Sequence, residues 1–366
     1  MSRAADILVV GAGMAGASLA AALAGKARVI LLEAEDQPGY HSTGRSAAFW
    51  SESYGGPLIQ PLTSASGRFL AAPPADFSDR PFLSRRGAIH LAGRGDRQAL
   101  DDLAGQFATV PLERMGRAAL EAAIPGLRPG WDFGLGEPSC ADIDVAALHA
   151  AYLRQARRAG VELVTGARVE AAEREDGSWR VRTPAGDFEG DILVDAAGAW
   201  ADDLARRCGE TQIGIIPYRR TVAQLRVDPP APSGLPLVID AAENFYFKPE
   251  AGGRLWLSPH DETPSEPCDC AVEELDVAIA IDRLQKVVDW RIERVERRWG
   301  GLRSFAPDRL PVYGFSPSGR GFFWCAGQGG FGIQTAPAAA DLAAALLLGG
   351  ASAVDPAPYS AARFAI

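Results

Sequence analysis

The stretch from residue 6 to residue 50 constrains the fold more than any other part of the chain. An apolar run at residues 7–10 leads into the sequence GAGMAG at residues 11–16, and an Ala/Leu-rich helical pattern follows. A second apolar run, at residues 29–32, ends on Glu33. Strand, glycine turn, helix and strand in this order, closed by an acidic residue, form a dinucleotide-binding fingerprint. We therefore predict that this stretch binds a dinucleotide.

Each glycine of the fingerprint has a separate physical role. Gly11 permits the tight turn, Gly13 lets the backbone approach a pyrophosphate, and Gly16 lets the helix pack closely on the strand. The free N–H groups and partial positive charge of the helix N-terminus favour phosphates. Glu33 would accept hydrogen bonds from ribose hydroxyls, which favours FAD or NAD over NADP. The fingerprint alone does not choose between those two.

Length and charge exclude several classes of protein. The 366 residues are enough for two domains with sizeable cores. A net charge of −9 argues against a nucleic-acid partner, which requires clustered cations. The arginines between Arg291 and Arg298 are interrupted by glutamates, so we predict a solvated face there. The four histidines lack the spacing of a zinc site, and we predict no bound metal.

The cysteines and the apolar segments indicate a reducing, cytoplasmic setting. Cys268 and Cys270 stand in an acidic loop, and we predict surface thiols there rather than a metal or redox site. The apolar segment Ala336–Leu348 contains a proline and an acid and is too short for a bilayer, so we predict a core helix and no transmembrane segment. Only six residues precede Ile7, and we expect no signal peptide.

Two kinds of pattern follow the fingerprint. Asp144 is a candidate N-cap for a helix over residues 145–159, and the buried strand at residues 192–194 ends in DAAGAW. Residues 215–257 instead carry longer alternating strands, which indicate an antiparallel sheet and hence a second domain. The chain therefore leaves the dinucleotide domain, returns to it near residues 142–200, leaves again, and returns at its C-terminus.

Other segments of the chain receive coarser predictions. An amphipathic helix over residues 272–288 would turn Leu275, Ile279 and Leu284 inward. Residues 96–123 have the pattern of helices separated by a loop, and residues 126–137, with four glycines and a proline, are predicted to turn the chain back.

Three further glycine-bearing stretches need a common explanation. They are His41–Ala48, Ala197–Trp200 and Gly327–Gln334. A nicotinamide dehydrogenase does not need so many backbone contacts at both ends of the chain, whereas an extended FAD does, because its flavin ring lies far from its adenine. These stretches therefore favour FAD.

With these stretches, the sequence resembles the FAD-dependent D-amino acid oxidase, glycine oxidase and sarcosine oxidase family. Within it, the chain is similar to bacterial D-amino acid dehydrogenases of the D-arginine dehydrogenase type. The resemblance covers nearly the whole chain and rests on the motifs VVGAGMAGAS, GYHSTGRSAA, DIDVAALHAAYLR, DAAGAW, NFYFKPE, GGLRSF and GQGGFGIQT.

The resemblance implies an α/β fold, α+β overall, with a Rossmann-like FAD-binding domain of the glutathione-reductase type. A substrate domain built on a mainly antiparallel sheet would complete it, with the flavin at the interface. The predicted FAD-binding domain comprises residues 1–80, 141–214 and 301–366, and the predicted substrate domain comprises residues 81–140 and 215–300.

The fingerprint and the resemblance together assign the cofactor contacts. Ser42–Ala48 would wrap the pyrophosphate and the flavin edge, Val169 would hold the adenine through its backbone, and Gly329–Gln334 would line the pyrimidine side of the flavin. No cysteine falls where sarcosine oxidases attach flavin, so the FAD is expected to be non-covalent. The assigned residues are Gly11, Gly13, Met14, Ala15, Gly16, Glu33, Ala34, Ser42, Thr43, Gly44, Arg45, Ser46, Ala47, Ala48, Val169, Ala197, Gly198, Gly329, Gly330, Phe331, Gly332, Ile333 and Gln334.

The substrate end is predicted from charge. Arg220 and Arg303 both stand beside apolar strand residues, where an arginine without an anion loses hydration worth several kcal/mol. Taken alone, an arginine in such a place is more often a surface or salt-bridge residue. In similar enzymes these positions bind the substrate carboxylate. There Tyr246 would add a hydroxyl, Tyr54 would close the pocket, and the Gly330 carbonyl would orient the amine.

The reaction implied by the resemblance is hydride transfer from the substrate Cα to flavin N5, followed by hydrolysis of the imino acid to a 2-oxo acid and ammonia. Enzymes of this type that accept D-arginine have a glutamate where Ala88 stands here and a histidine where Phe49 stands. We therefore predict a neutral or hydrophobic D-amino acid as substrate. The strand at residues 255–257 lacks the lysine that sarcosine-type oxidases place over the flavin, which favours a dehydrogenase.

The electron acceptor stays open among a quinone, an electron-transfer protein and O2. Four alternatives also stay open: the same fold oxidising a secondary amine such as an N-methyl amino acid, the same fold oxidising a 2-hydroxy acid, a flavin-binding protein without turnover, and an NAD-dependent dehydrogenase.

Overall fold

The computed structural model describes residues 3–364. The strands are β1 (Arg3–Val10), β2 (Val29–Leu32), β3 (Phe49–Trp50), β4 (Leu83–Arg85), β5 (Ala88–Ala92), β6 (Glu113–Gly116), β7 (Phe133–Glu137), β8 (Ala141–Ile143), β9 (Glu162–Val164), β10 (Ala171–Glu175), β11 (Ser178–Thr183), β12 (Gly186–Asp195), β13 (Ile216–Asp228), β14 (Leu237–Asp240), β15 (Tyr246–Glu250), β16 (Arg254–Ser258), β17 (Thr263–Pro264), β18 (Arg291–Phe305), β19 (Val312–Phe315), β20 (Phe322–Ala326) and β21 (Gln328–Gly329). The helices are α1 (Met14–Leu23), α2 (Gln60–Ala71), α3 (Arg97–Gln106), α4 (Arg117–Ala123), α5 (Val145–Arg158), α6 (Ala201–Arg207), α7 (Glu274–Val287) and α8 (Ala336–Leu348).

The predicted strand, helix and strand of the fingerprint are β1, α1 and β2, at the centre of an eight-stranded sheet. β1 pairs in parallel with β2 and β12, β2 pairs in parallel with β9, and β12 pairs in parallel with β20. Both faces of β1 are covered, so Leu8 and Val9 are completely buried. Gly11 has φ +103°, and a Cβ on Gly16 would lie 1.8 Å from the Gly11 carbonyl oxygen. The tight turn therefore requires both glycines.

The second large sheet of the protein has ten strands and is mainly antiparallel. Its longest ladder joins β13 to β18, while β14 pairs in parallel with β5. The mixed α/β fold class predicted from the sequence is confirmed. The division of the chain into two domains remains a prediction.

Two strands of this sheet, β6 and β7, were not predicted. The expectation of only helices and loop over residues 96–123, and of a turn over residues 126–137, is wrong for those segments. β7 has the sequence FGLGE, whose glycines hid the strand pattern. A Cβ on Gly134 would lie 2.7 Å from Leu120, so this glycine lets α4 pack directly on the strand.

The helices α5 and α8 agree with their predictions, and the buried face of α7 differs from its prediction. Asp144 caps α5 by accepting a hydrogen bond from the N–H of Ala147 (2.9 Å), and α8 is a buried core helix as predicted. In α7, however, Leu275 is 66% exposed. The helix begins only at Glu274 and packs through a different stripe, with Leu284 buried as expected. No helix within residues 3–364 is both long and apolar enough to cross a membrane.

Candidate functional site

A cavity extends from the carboxyl ends of β1 and β2 to the ten-stranded sheet. All five predicted substrate residues line it, and so do all but three of the predicted cofactor residues. The exceptions are Gly16, Gly44 and Phe331, which shape the wall from behind. Gly16 sets the distance between α1 and β1, Gly44 donates to the carbonyl of Gly39 (2.9 Å), and Phe331 belongs to a buried cluster with Ile59 and Phe305.

The fingerprint end of the cavity has the features that a dinucleotide requires. Gly13, the N-cap of helix α1, has no side chain to accept from the helix, so the first-turn N–H groups other than that of Met14 are available to an anion. Thr43 accepts from the N–H of Met14 (2.9 Å) and fastens the Ser42–Arg45 turn against this helix. The Glu33 carboxylate accepts from the N–H of Ala12 at 2.8 Å, which fixes it at the cavity edge.

Two residues on the cavity wall were quoted in motifs but given no role. The His41 ring lies against Trp200, with 4.6 Å between centroids, and its Nε2 lies 3.0 Å from Glu35 Oε1. They stand on separate loops, so only the folded chain reveals the pair. The sequence signal was their place at the ends of two glycine-bearing stretches.

Arg45 connects the cavity to a loop that was predicted incorrectly. Its guanidinium contacts Asp269 at 2.5 Å and the carbonyl of Cys270 at 3.3 Å. This anchoring turns Cys270 inward to 8% exposure, so the prediction of a surface thiol is wrong for Cys270 and holds for Cys268. Burial raises the pKa of the Cys270 thiol.

The opposite end of the cavity contains two arginines on neighbouring strands of the ten-stranded sheet. Arg220 lies on β13 and Arg303 on β18, and both are largely buried. Nε of Arg220 donates to the carbonyl of Asp261 (2.7 Å), and Nη2 of Arg303 donates to the hydroxyl of Tyr54. Burial, and then the positive charge of Arg303, lower the pKa of Arg220. Two like charges held together in this way favour an anion between them.

Three aromatic rings form the wall beside the arginines. The ring of Phe49 lies 5.0 Å from that of Tyr54 and 6.2 Å from that of Tyr246, in edge-to-face geometry. Ala88 does not line the cavity, since it lies behind the wall in one apolar cluster with Tyr246. Burial raises the pKa of Tyr246, so its hydroxyl stays protonated.

The loop that carries Tyr54 is held by a buried polar network which the sequence did not reveal. Glu137, completely buried on β7, accepts from the hydroxyls of Ser51 (2.7 Å) and Ser53 and from the N–H of Glu52 (2.7 Å). Ser53 also contacts His90 on β5 at 2.9 Å. The network joins the ten-stranded sheet to the loop at residues 51–54.

Gln334 fastens the same loop from the C-terminal side. Its side chain accepts from the N–H of Ser51 (3.2 Å) and donates to the carbonyl of Tyr54 (3.2 Å) and the hydroxyl of Thr63 (2.9 Å). Gln334 was predicted to contact the cofactor. It lines the cavity while its polar atoms bind protein, so it also sets the position of Tyr54.

Comparison with known proteins identifies the family. The model of the DAO family, described as FAD dependent oxidoreductase, matches residues 6–346. The chain belongs to this family. Glycine oxidase from Pseudomonas aeruginosa is 30% identical over 381 residues, which cover 97% of this chain and 98% of that protein. Dimethylglycine dehydrogenase from Rattus norvegicus is 24% identical and aligns with 90% of this chain and 41% of its own length.

Solved structures show the same fold. The crystal structure of glycine oxidase from Geobacillus kaustophilus has a TM-score of 0.87 and 24% sequence identity, and the match covers 99% of each chain. The structure of L-proline dehydrogenase from P. horikoshii also has a TM-score of 0.87, at 20% identity over 100% of this chain and 98% of that one.

As a DAO-family member, the chain is an FAD-dependent oxidoreductase, and the predictions of family and of FAD are confirmed. The individual site residues remain predictions. The N-terminus of α1 and the bare backbone at Gly13 fit the pyrophosphate, and the Glu33 carboxylate, held by the N–H of Ala12, fits the ribose. When bound, FAD supplies the acceptor for the two electrons that leave the substrate carbon.

Proposed function

We propose that this DAO-family enzyme oxidises a neutral or hydrophobic D-amino acid to an imino acid, which water hydrolyses to a 2-oxo acid and ammonia. A non-covalently held FAD would supply the acceptor, at its N5, for the hydride from the substrate Cα. The single observation that carries the proposal is the pair of largely buried arginines, Arg220 and Arg303, beside an aromatic wall in the cavity.

Recognition of the substrate carboxylate is supported by the free donors of the arginine pair. Within residues 3–364, no protein group accepts from Nη1 of Arg220 or from Nε of Arg303. Both side chains line the cavity, so these donors are available to a carboxylate. Charge-assisted hydrogen bonds of this kind contribute about 1.5–3 kcal/mol each.

The preference for an uncharged side chain is supported by the composition of the wall. Phe49, Tyr54 and Tyr246 surround the carboxylate site, while the described acids of the cavity wall, Glu33, Glu35 and Asp203, belong to its other end. A cationic side chain would lose its hydration there without gaining a partner. An apolar side chain would bury area against the rings.

Orientation of the amine is assigned to the Gly330 carbonyl. A Cβ on Gly330 would lie 1.7 Å from Nη2 of Arg303, so its backbone packs directly against the guanidinium. Carboxylate on the arginines, amine on this carbonyl and side chain on the rings define three points, which is the minimum for selection between enantiomers. Holding the substrate in this pose is the protein's main contribution to the rate.

A second candidate is the oxidation of glycine or an N-substituted glycine. It is favoured by the similarity to glycine oxidases and to dimethylglycine dehydrogenase. A substrate without a side chain would bind the same arginines and leave the aromatic wall empty.

The electron acceptor, the cytoplasmic location and the two-domain division with its predicted boundaries stay predictions.

Anaerobic mixing with a substrate panel tests the proposal. We expect D-leucine and D-phenylalanine to bleach the flavin absorption, and L-leucine and D-arginine to leave it unchanged. Bleaching by glycine and sarcosine without bleaching by D-leucine would transfer the function to the second candidate. Bleaching by none of these compounds would contradict both.

A further inference from the structure

Glu262 lies where three arginines meet. Its Oε1 atom is 3.2 Å from Nη2 of Arg220 and 3.2 Å from Nη1 of Arg303. Nη2 of Arg309 contacts both carboxylate oxygens, at 2.9 and 2.8 Å. One protein carboxylate thus already binds both arginines to which the substrate carboxylate is assigned.

The carboxylate of Glu262 approaches the arginine pair from outside the cavity. Arg220 and Arg303 line the cavity, whereas Glu262 does not and is 33% exposed at its side chain. Its neighbour Asp261 is fixed, because it accepts from the N–H (2.7 Å) and the hydroxyl (2.9 Å) of Thr221. The acid is therefore held beside the pair, and the inner donors stay free.

This geometry has a consequence for the charge that the cavity presents. Arg220, Arg303 and Arg309 carry three positive charges, and Glu262 together with Asp261, whose Oδ1 lies 3.9 Å from Nε of Arg220, cancels two of them. A substrate with one carboxylate neutralises the remainder. A second carboxylate would have to bind the face already occupied by Glu262, and two anions in one site repel each other strongly.

We propose that Glu262 is a specificity-determining residue which restricts the arginine pair to monocarboxylate substrates and excludes dicarboxylic amino acids. The proposal rests on the proposed function, since it assumes that the pair binds the substrate carboxylate. Glu262 acts as a built-in competitor for one of two anion positions, which is discrimination through repulsion of the wrong ligand.

Two unreactive anions, acetate and malonate, test this assignment in the FAD-loaded protein. Their dissociation constants are measured by the perturbation of the flavin absorption spectrum, in the wild type and in Glu262→Gln. We expect the variant to bind malonate about tenfold more tightly or better, and acetate within about threefold of the wild type. Glu262→Asp, whose carboxylate is withdrawn by one methylene, should show a smaller gain in malonate affinity relative to acetate. This variant replaces Glu262→Gln in the test if Glu262→Gln fails to retain FAD.

Glu273→Gln is the matched control. Glu273 binds Arg219, the neighbour of Arg220 on β13, at 2.5 Å, and neither residue lines the cavity. The same change of charge there should leave the malonate-to-acetate ratio unaltered.

The outcomes separate this assignment from the proposed function. An unchanged ratio in Glu262→Gln, or an equal weakening of both anions, would make Glu262 a residue that only positions the arginines and would overturn the proposal. Failure of acetate to bind the wild type would instead contradict the carboxylate site itself, and with it the proposed function.

Discussion

Arg303 donates a hydrogen bond to the hydroxyl of Tyr54, which stands 249 residues earlier in the chain. The contact joins β18 of the ten-stranded sheet to the loop at residues 51–54, and both side chains line the cavity. The residue assigned to bind the carboxylate and the residue assigned to close the pocket are therefore one structural unit.

Replacement of Arg303 tests that unit. We expect Arg303→Ala to raise the KM of the amino acid about 10- to 100-fold, because one or two charge-assisted hydrogen bonds are lost. FAD should remain bound. Tyr54→Phe keeps the ring and removes the hydroxyl, and we expect a rise in KM of less than about tenfold. Steady-state kinetics and the flavin spectrum measure both effects, and an unchanged KM in Arg303→Ala would remove Arg303 from the carboxylate site.

Glu137 should act on the site only through the loop it holds. Glu137→Gln loses acceptors for buried hydroxyl and N–H donors, so we expect a loss of about 2 kcal/mol of unfolding free energy together with a raised KM. Ser139→Ala is the control, because the Ser139 hydroxyl reaches Glu137 only at 3.4 Å. Chemical denaturation and substrate titration distinguish them. Equal stability of the two variants would contradict the role of the network.

The small sheet that carries Phe49 depends on a partly buried ion cluster. Asp142 on β8 pairs in register with Phe49 and binds Lys248 at 2.7 Å and Arg86 at 2.6 Å. Asp142→Asn leaves two cations without their counter-ion, and we expect a loss of about 3 kcal/mol. Chemical denaturation measures it. The exposed pair between Asp203 and Arg206 provides the control Asp203→Asn, which should cost less than about 1 kcal/mol. Similar losses of unfolding free energy in both variants would contradict the claim that the Asp142 cluster stabilises the fold.

His90 should make stability depend on pH. Burial lowers its pKa to about 4, whereas the unfolded chain has the ordinary value of 6.5. The unfolded state therefore binds the proton first, and stability falls as pH drops from about 6.5 to about 4, by roughly 1.4 kcal/mol per pH unit. His90→Gln should flatten this part of the curve of unfolding free energy against pH. Superimposable slopes for variant and wild type would contradict the assignment.

Local chemistry explains why so much could be predicted from the sequence. The turn at Gly11 and the cap at Asp144 depend on residues a few positions apart, and both were predicted correctly. The strand β7 was missed because its glycines are explained only by Leu120 and Met115 packing over them.

The remaining errors have the same origin in long-range contacts. Cys270 is held in its buried position by Arg45, which stands 225 residues away and donates to its carbonyl. The network of Glu137 and His90 joins three separate segments, and no local pattern marks it. The arginine pair was predicted from the resemblance to a family. That both arginines contact Glu262 is visible only in the folded structure.

The most direct test of the central claim is anaerobic titration of the purified yellow enzyme with D-leucine, L-leucine and D-arginine, followed by flavin absorption. Arginines beside an apolar wall predict complete bleaching by D-leucine alone, with a 2-oxo acid and ammonia as products. Bleaching by D-arginine but not by D-leucine would contradict the account.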